Sequence, residues 1–224
     1  MKANSRIAKE INAISAALPQ GVTLIAVSKY HPAEAVMEAY EAGQRDFGES
    51  KAQDLVKKHE MLPQDIKWHF IGHLQSNKIK YIAPFIHLIH SIDSYRLLQE
   101  VDRHAEKNGR TINCLLQIHI AEEESKFGFT PEELEAMLAE GSWRDLQHVK
   151  IRGVMCMASN TDNEEQVERE FATVSRLFKE IKEKYFTGEE TFDTFSAGMS
   201  DDYPIALKHG STHIRVGSRI FSNQ

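Results

Sequence analysis

The sequence predicts an α/β protein in which eight parallel strands close into a (β/α)8 barrel, the TIM barrel, with an extra helix before the first strand. Short apolar segments rich in β-branched residues alternate with segments of helical periodicity, and this alternation occurs eight times. The length of 224 residues suits a single barrel of this kind. No linker, low-complexity tract or shift in composition divides the chain, so residues 1–224 are expected to form one domain.

The predicted helices begin and end at residues that favour such boundaries. Isoleucines at helical spacing define the extra N-terminal helix, which ends before Pro19. Pro32 opens the second helix and Gly43 ends it, while Thr130 and Pro131 supply an N-cap and a first-turn proline farther along. In chain order the predicted helices cover 5–18, 32–43, a segment around 53–56, 77–83, 94–108, 130–139, 164–185 and 203–208.

The predicted strands are short apolar runs bounded by turn residues. The first run lies between Gly21 and Pro32 and is too short to favour a helix. In chain order the predicted strands cover 22–29, 46–48, 67–71, 86–91, 113–120, 151–155, 192–195 and 212–216. Because little sequence follows the eighth strand, the extra N-terminal helix is expected to cover the gap where an eighth outer helix would lie.

The composition argues against several classes of partner. The net charge is -6 and the isoelectric point is near 6.0, which disfavours a nucleic acid or an anionic membrane as the main partner. Cys114 and Cys156 lie in apolar runs and are expected to be buried free thiols in a reducing compartment. The N-terminus lacks the apolar segment of a signal peptide, and no apolar run is long enough to span a bilayer. A cytoplasmic location is therefore expected.

Lys29 stands at the C-terminal end of the first predicted strand, the end at which barrels of this type carry their chemistry. Burying an ammonium group costs free energy unless the group is paired or its pKa falls. An unprotonated lysine is a nucleophile that can form an imine with an aldehyde. The alternative is that Lys29 simply extends from the strand end into solvent.

Two segments rich in glycine and serine follow the seventh and eighth strands. Loops at these two places bind phosphate in many TIM barrels, because small residues let backbone N–H groups approach an anion closely. Gly198 and Gly217 allow this approach, and Ser200 and Ser218 add hydroxyl groups. Each segment alone would also fit an ordinary glycine turn. Their occurrence together, in both expected places, favours a phosphate site.

Arg215 lies within the eighth predicted strand, which neighbours the first strand in a closed barrel. Lys29 and Arg215 can therefore face the same pocket. A lysine, an arginine and a phosphate site match the needs of pyridoxal 5'-phosphate (PLP), which are an amine partner, a group at the pyridine nitrogen and a phosphate anchor.

Seven stretches, spread in order over nearly the whole chain, carry a resemblance to a known family. They are AVSK at 26–29, GE at 48–49, WHFIGHLQSNK at 68–78, KFG at 126–128, RGVM at 152–155, GMSDD at 198–202 and GSTHIRVG at 210–217. The chain resembles the PLP homeostasis or PLP-binding protein family, also called the YggS family, whose fold is the alanine racemase N-terminal barrel.

The resemblance implies roles for five residues. Lys29 would carry PLP as an internal aldimine, that is, as N6-pyridoxal phosphate lysine. Arg215 would contact the pyridine nitrogen, and Ser200, Gly217 and Ser218 would hold the phosphate. Ser218 stands where many family members have threonine, which preserves the hydroxyl group.

The expected cofactor-binding set also includes Met199, Ser50 and His73. Many family members have asparagine where this chain has Ser50, which weakens the expectation of a polar contact from that loop. No metal site and no catalytic residue are expected from the resemblance.

The function that the resemblance implies is PLP binding for intracellular PLP (vitamin B6) and amino-acid homeostasis, without an established reaction. An arginine opposite the ring nitrogen disfavours the protonation that makes PLP a strong electron sink. Racemases with the same arginine add an acid/base group from another domain and subunit, which this chain is expected to lack. Besides PLP, the candidate partners are PLP-dependent apoenzymes, and the chain is expected to be a monomer or weak dimer without a nucleic-acid or membrane partner.

Two enzymatic alternatives remain at this point. One is a racemase-like activity on amino acids, with Tyr30, His73 or Tyr203 as a second base. The other is a metal-dependent hydrolase, suggested by two pairs of histidines; these are His69 with His73 and His87 with His90. Because no carboxylate is spaced in the sequence to complete such a site, solvated or core histidines are the favoured interpretation.

Overall fold

A computed structural model describes residues 5–120 and 127–222, and it confirms the predicted closed barrel of eight parallel strands in sequential order. The strands are β1 Thr23–Val27, β2 Asp46–Glu49, β3 Lys67–Phe70, β4 Leu88–Ile92, β5 Ile112–Ile118, β6 Val149–Cys156, β7 Thr194–Ser196 and β8 His213–Val216.

Helices connect the strands on the outside of the barrel. They are α1 Arg6–Ala17, α2 Ala33–Glu41, α3 Ala52–Met61, α4 Ile79–Ile82, α5 Tyr95–Lys107, α6 Pro131–Glu140, α7 Glu164–Tyr185, α8 Tyr203–Lys208 and α9 Ser218–Phe221. The predicted α7 and α8 agree with the structure at both ends. The structure also contains two short 3-10 turns, Ser76–Lys78 and Ser142–Asp145, which the sequence analysis did not predict as separate elements.

Local chemistry explains where several helices start and stop. Thr130 accepts a hydrogen bond from the backbone of Glu133, whose side chain bonds back to Thr130 N, so α6 begins with a capping box. The same helix ends at Gly141, whose φ of 89° is a conformation that glycine adopts at low cost. These signals are local, which is why sequence reasoning located the helix.

The alternation of side chains along each strand separates two apolar regions. One face of each strand packs under the helices, where Phe47, Trp68 and Phe195 are almost completely buried. Inside the barrel, Leu88, Leu115 and Met155 form a small separate cluster. Fully burying a large apolar side chain stabilises the fold by about 1.5–3 kcal/mol, so the outer region supplies most of the apolar stabilisation.

The first and last elements of the chain close the barrel together. Strand β1 pairs with β8, and Ile25 lies opposite Arg215. Helix α1 packs against α2 and α9, and the Arg6 guanidinium donates to the backbone carbonyls of Arg219 and Ser222. The predicted position of the N-terminal helix is therefore confirmed, whereas the short helix α9 was missed.

Two other expectations can be compared with the structure. Cys114 and Cys156 are buried free thiols, as predicted. None of the helices in 5–120 and 127–222 combines the length and apolar character that crossing a bilayer requires.

Candidate functional site

Lys29 lies at the C-terminal mouth of the barrel, two residues beyond the end of β1. Its side chain is exposed, so the alternative in which Lys29 extends from the strand end into solvent is the correct one, and the argument from the cost of burying it does not apply. The strand ends earlier than predicted because the chain turns at once; Tyr30 has a φ of 69° and is 76% exposed. Lys29 Nζ lies 5.9 Å from the centre of the Tyr30 ring.

A buried ion pair fixes the backbone just before Lys29. Lys58 Nζ on α3 lies 2.5 Å from Glu49 Oε1 and donates to the carbonyl oxygen of Ser28 at 2.8 Å. The Ser28 hydroxyl donates to the same carboxylate oxygen at 2.6 Å. Lys29 therefore presents a solvent-facing amine, and the ion pair between Lys58 and Glu49 holds the backbone before it in place.

Arg215 lies inside the barrel and is only 4% exposed. Its Nη1 donates to Ser196 Oγ at 2.6 Å, and its Nη2 donates to the carbonyl oxygen of Cys156 at 2.8 Å. Burial lowers the pKa of the Arg215 guanidinium, and it raises the pKa of the neighbouring Cys156 thiol to about 12. The two acceptors hold the guanidinium in one orientation.

The strand register relates Lys29 to Arg215. Because Ile25 lies opposite Arg215, Lys29 stands four residues farther toward the C-terminal mouth than Arg215. Four residues of extended chain span at most about 14 Å. Lys29, just beyond the end of β1, and Arg215, on the neighbouring β8, both carry long side chains, so the two can approach one ring-sized molecule.

The predicted phosphate loops meet at the same mouth. Ser200 Oγ accepts a hydrogen bond from the backbone N–H of Gly217 at 3.3 Å, and the carbonyl of Gly198 accepts one from the N–H of Arg215 at 2.9 Å. Gly198 has a φ of 94°, and a Cβ there would lie 2.7 Å from Cα of Tyr203. Only glycine fits this tight approach.

Gly217 brings α9 against the end of β1. A Cβ on Gly217 would lie 3.0 Å from the carbonyl oxygen of Val27, so the missing side chain allows the contact. Gly217 gives α9 no side-chain cap, and Ser218 is the exposed first residue of that helix. Backbone N–H groups of an uncapped first turn are suited to an anion. The structure thus brings Ser200, Gly217 and Ser218 together beside the strand that leads to Lys29.

The other three predicted site residues lie in two separate cavities near this mouth. Ser50 and His73 line one cavity of about 120 Å³, together with Lys78. Met199 is 38% exposed and lines another cavity of about 230 Å³, which also includes Asp202.

His73 has partners that sequence reasoning missed. Its Nδ1 lies 3.2 Å from Asp93 Oδ2, and its ring stacks on Phe127 with 3.7 Å between ring centres. Both partners follow other strands, so only the closed barrel brings them to His73. Lys126, the first residue of the KFG stretch, lies outside the described residues.

A series of hydrogen bonds runs from Arg215 through the barrel interior, and the sequence analysis did not predict it. Ser196 Oγ lies 2.9 Å from His90 Nδ1, His90 Nε2 lies 2.9 Å from His69 Nδ1, and His69 Nε2 lies 3.0 Å from Asp46 Oδ1. Arginine can only donate, and the carboxylate of Asp46 can only accept. One consistent arrangement therefore has every donor pointing from Arg215 toward Asp46, with both histidines neutral and protonated on Nε2.

The pKa shifts of His90 and Asp46 agree with a neutral His90 and an ionised Asp46 in these positions. Burial, with the nearby His69 and Arg215, holds the pKa of His90 well below its ordinary value. Burial alone would raise the pKa of Asp46, but the hydrogen bond from His69 and the neighbouring charges outweigh it and lower this pKa. The sequence argument that no carboxylate accompanies His69 is wrong, because the β2–β3 register brings Asp46 beside it.

Comparison with known proteins shows similarity over nearly the whole chain. The family model for the alanine racemase N-terminal domain matches residues 4–223. The pyridoxal phosphate homeostasis protein of Helicobacter pylori is 38% identical over 202 residues, which cover 89% of this chain and 87% of that protein.

Solved structures show the same similarity in three dimensions. PipY of Synechococcus elongatus PCC7942 is 37% identical and has been solved without PLP, with a TM-score of 0.90, and with PLP bound, with a TM-score of 0.88. In both cases 96% of this chain and 100% of PipY are covered. Alanine racemase of E. faecalis is 16% identical with a TM-score of 0.74, covering 98% of this chain and 58% of the racemase, and it shares the fold alone.

The family model, the identity to curated relatives and the match to PipY agree with one another and with the barrel described above. The chain belongs to the pyridoxal phosphate homeostasis protein family, which is built on the alanine racemase N-terminal barrel.

Proposed function

We propose that this chain binds PLP covalently through Lys29 and serves intracellular PLP and amino-acid homeostasis. The observation that carries the proposal is the packing of Gly217 against Val27, which sets the Ser200–Gly217 contact beside the strand leading to the exposed Lys29 amine. The relatives named above support it, since one was solved with PLP bound.

The residues present fit the cofactor. When bound, PLP supplies an aldehyde that reacts with a primary amine, and Lys29 offers such an amine on a fixed backbone. Ser200, Gly217 and Ser218 offer a hydroxyl, a tight backbone and an uncapped helix turn for a phosphate dianion. Arg215 is held inside the barrel by two acceptors, and it would contact the ring nitrogen.

Ser50, His73 and Met199 have a lesser place in this proposal. They line cavities beside the same mouth, where they would limit the space around the cofactor. Ser50, which replaces the asparagine of many family members, lines the same cavity as His73. The shorter serine side chain would therefore still lie beside the cofactor.

We infer that the chain carries PLP rather than catalysing a reaction with it. Arg215 is a buried cation with two fixed acceptors, and a cation at this position disfavours protonation of the ring nitrogen. Without that proton the ring is a weak electron sink. PLP-dependent apoenzymes are the natural acceptors of a carried cofactor, and the two buried free thiols fit the reducing cytoplasm.

One observation favours a second candidate function, a racemase-like activity on amino acids. The contact between His73 and Asp93 resembles a general base held by a carboxylate, and it lies near the proposed cofactor site. Tyr203 is a weaker candidate for a base, because its hydroxyl accepts a hydrogen bond from Arg219 at 2.9 Å. Loss of the α-hydrogen from a free amino acid, followed by proton exchange with deuterated water, distinguishes this function from a carrier.

The proposed function is tested by the absorption spectrum of the purified chain after incubation with PLP. A yellow band that borohydride bleaches, followed by peptide mapping of the reduced adduct to Lys29, is the expected result. A colourless protein, or an adduct confined to other lysines, would overturn the assignment. A proton-exchange rate in the ordinary enzyme range, about 1 per second or faster, would favour the racemase-like alternative.

A further inference from the structure

A group of metal-binding side chains lies at the N-terminal end of the barrel, opposite the mouth that carries Lys29. Asp46 is the first residue of β2, His69 lies within β3, and His87 directly precedes β4. Parallel strands start at one end of a barrel, so their first residues meet there. The three residues offer one ligand atom each, and these atoms all lie within 4.8 Å of one another.

The strand register explains why these side chains converge. Gly48 lies opposite His69, and the N–H of His87 donates to the carbonyl of Trp68 at 2.9 Å. Asp46 and His69 are therefore on adjacent strands, and their ligand atoms are already 3.0 Å apart. The ring of His87 lies 5.3 Å from the ring of His69 between centres.

Small movements would complete a coordination shell. Ligand atoms in a tetrahedral zinc site lie about 3.3 Å apart, as follows from metal–nitrogen bonds of about 2.0–2.1 Å. His69 is buried and fixed, whereas His87 is exposed and can turn its ring toward the other two ligands. His87 also lines a cavity of about 170 Å³ open to this end of the barrel, which provides a path of entry and room for a water ligand.

His69 has a partner for its second ring nitrogen, as metal-binding histidines usually do. With a metal on Nε2, the proton of His69 stands on Nδ1, and His90 Nε2 lies 2.9 Å away to accept it. His90 then donates from Nδ1 to Ser196 Oγ at 2.9 Å, and a hydroxyl oxygen can accept from both His90 and Arg215. The internal hydrogen bonds therefore accommodate a metal by moving one proton on each histidine from Nε2 to Nδ1, without a net gain or loss of protons. The Ser196 hydroxyl then accepts from His90 and gives up the hydrogen bond that it donates to His90 Nδ1 in the metal-free arrangement.

We propose that Asp46, His69 and His87 bind a divalent transition-metal ion of the Zn²⁺ type. Two imidazoles and one carboxylate suit zinc and its neighbours, and they do not suit Mg²⁺ or Ca²⁺, which prefer oxygen ligands. The N-terminal face of a TIM barrel contributes mainly to stability, so the ion would join β2, β3 and β4 rather than act on a substrate. This site does not depend on PLP.

The test uses the full chain without a histidine tag, stripped with a chelator and dialysed. Zn²⁺ is titrated by calorimetry, the thermal midpoint is followed with and without Zn²⁺, and Co²⁺ is added to record its visible ligand-field spectrum. His87→Ala removes one ligand, and Asp46→Asn replaces the charged carboxylate with a neutral amide, which is a much weaker ligand for Zn²⁺; neither position is fully buried. His148→Ala, a partly buried histidine outside the group, is the matched control.

The wild-type chain and His148→Ala should bind one Zn²⁺ and gain thermal stability from it. Asp46→Asn and His87→Ala should bind Zn²⁺ at least about 100-fold more weakly than the wild-type chain. Loss of a residue that hydrogen-bonds to a ligand already costs about 10- to 100-fold in metal affinity, and a change to the ligand itself should cost more. The proposal is overturned if the wild-type chain binds no metal, or if both ligand variants bind as tightly as His148→Ala. If a variant fails to fold, the wild-type Co²⁺ spectrum decides, because a spectrum of hydrated Co²⁺ alone excludes the site.

Discussion

Ser196 Oγ accepts a hydrogen bond from Arg215 Nη1 at 2.6 Å deep inside the barrel. Both residues are almost fully buried, and the same hydroxyl lies 2.9 Å from His90 Nδ1. Ser196 therefore joins the buried guanidinium to the hydrogen-bond chain that ends at Asp46. This series of hydrogen bonds runs from Arg215 on β8 to Asp46 at the N-terminal end of β2.

Ser196→Ala should lower the free energy of unfolding of the protein by more than the loss of an unpartnered buried hydroxyl group does. The variant leaves a buried donor of Arg215 without its acceptor, and a hydrogen bond to a charged group is worth about 1.5–3 kcal/mol. We expect the free energy of unfolding in urea to fall by that amount. Ser91→Ala is the matched control, because Ser91 Oγ is buried and has no hydrogen-bond partner in the described part of the chain. Equal losses for the two variants would contradict the role given to Ser196.

Lys29→Ala should abolish the borohydride-stable pyridoxyl adduct and leave the fold intact. The side chain is exposed, and substitutions at such positions usually change stability by less than about 0.5 kcal/mol. Lys51→Ala is a close control, since Lys51 Nζ lies 5.5 Å from the centre of the same Tyr30 ring that Lys29 approaches. Mass spectrometry of the reduced protein measures the adduct.

The Lys51→Ala variant should keep a full adduct at Lys29. An adduct that persists in Lys29→Ala, for example on Lys78 or Lys126, would move the attachment site elsewhere. Loss of the adduct in both variants would instead indicate that a positive surface, rather than one amine, attracts PLP.

His213 should make the chain less stable as the pH falls from about 6.5 to about 4. Burial lowers the pKa of His213 from 6.5 to about 4, while the neighbouring charges partly cancel. Between these values the unfolded chain binds a proton that the folded chain does not, so the free energy of unfolding decreases with falling pH. Urea unfolding at several pH values should show a smaller decrease for His213→Gln than for the wild-type chain. Parallel curves would show that His213 does not contribute.

The barrel could be predicted because its evidence is local. Each strand carries its own apolar run, each helix its own periodicity and caps, and Thr130 with Glu133 is a signal contained in four residues. Errors in the predicted strand ends arise where the chain turns. The first strand was predicted to reach Lys29, but β1 ends at Val27.

The site could be predicted only in part, because its geometry depends on register. The glycines and serines after β7 and β8 stand in one stretch each, so their meeting follows from barrel closure. The contact of Asp46 with His69 instead joins residues 23 positions apart, and it depends on which residues of β2 and β3 lie opposite each other. No spacing rule in the sequence reveals such a pairing.

Ser200→Ala should weaken PLP binding about tenfold or more and should hardly change the binding of pyridoxal. Ser200 Oγ accepts a hydrogen bond from the backbone N–H of Gly217 at 3.3 Å. Its hydroxyl group is therefore next to the N-terminus of α9, where it could donate to a phosphate bound there. A charge-assisted hydrogen bond to that dianion is worth about 1.5–3 kcal/mol, and about 1.4 kcal/mol corresponds to a factor of ten in Kd. Pyridoxal lacks the phosphate and loses no contact, so it serves as the control ligand in the same titration, followed by absorbance. Equal weakening of both ligands would mean that Ser200 supports the shape of the loop, and the phosphate would then have to bind elsewhere at the barrel mouth.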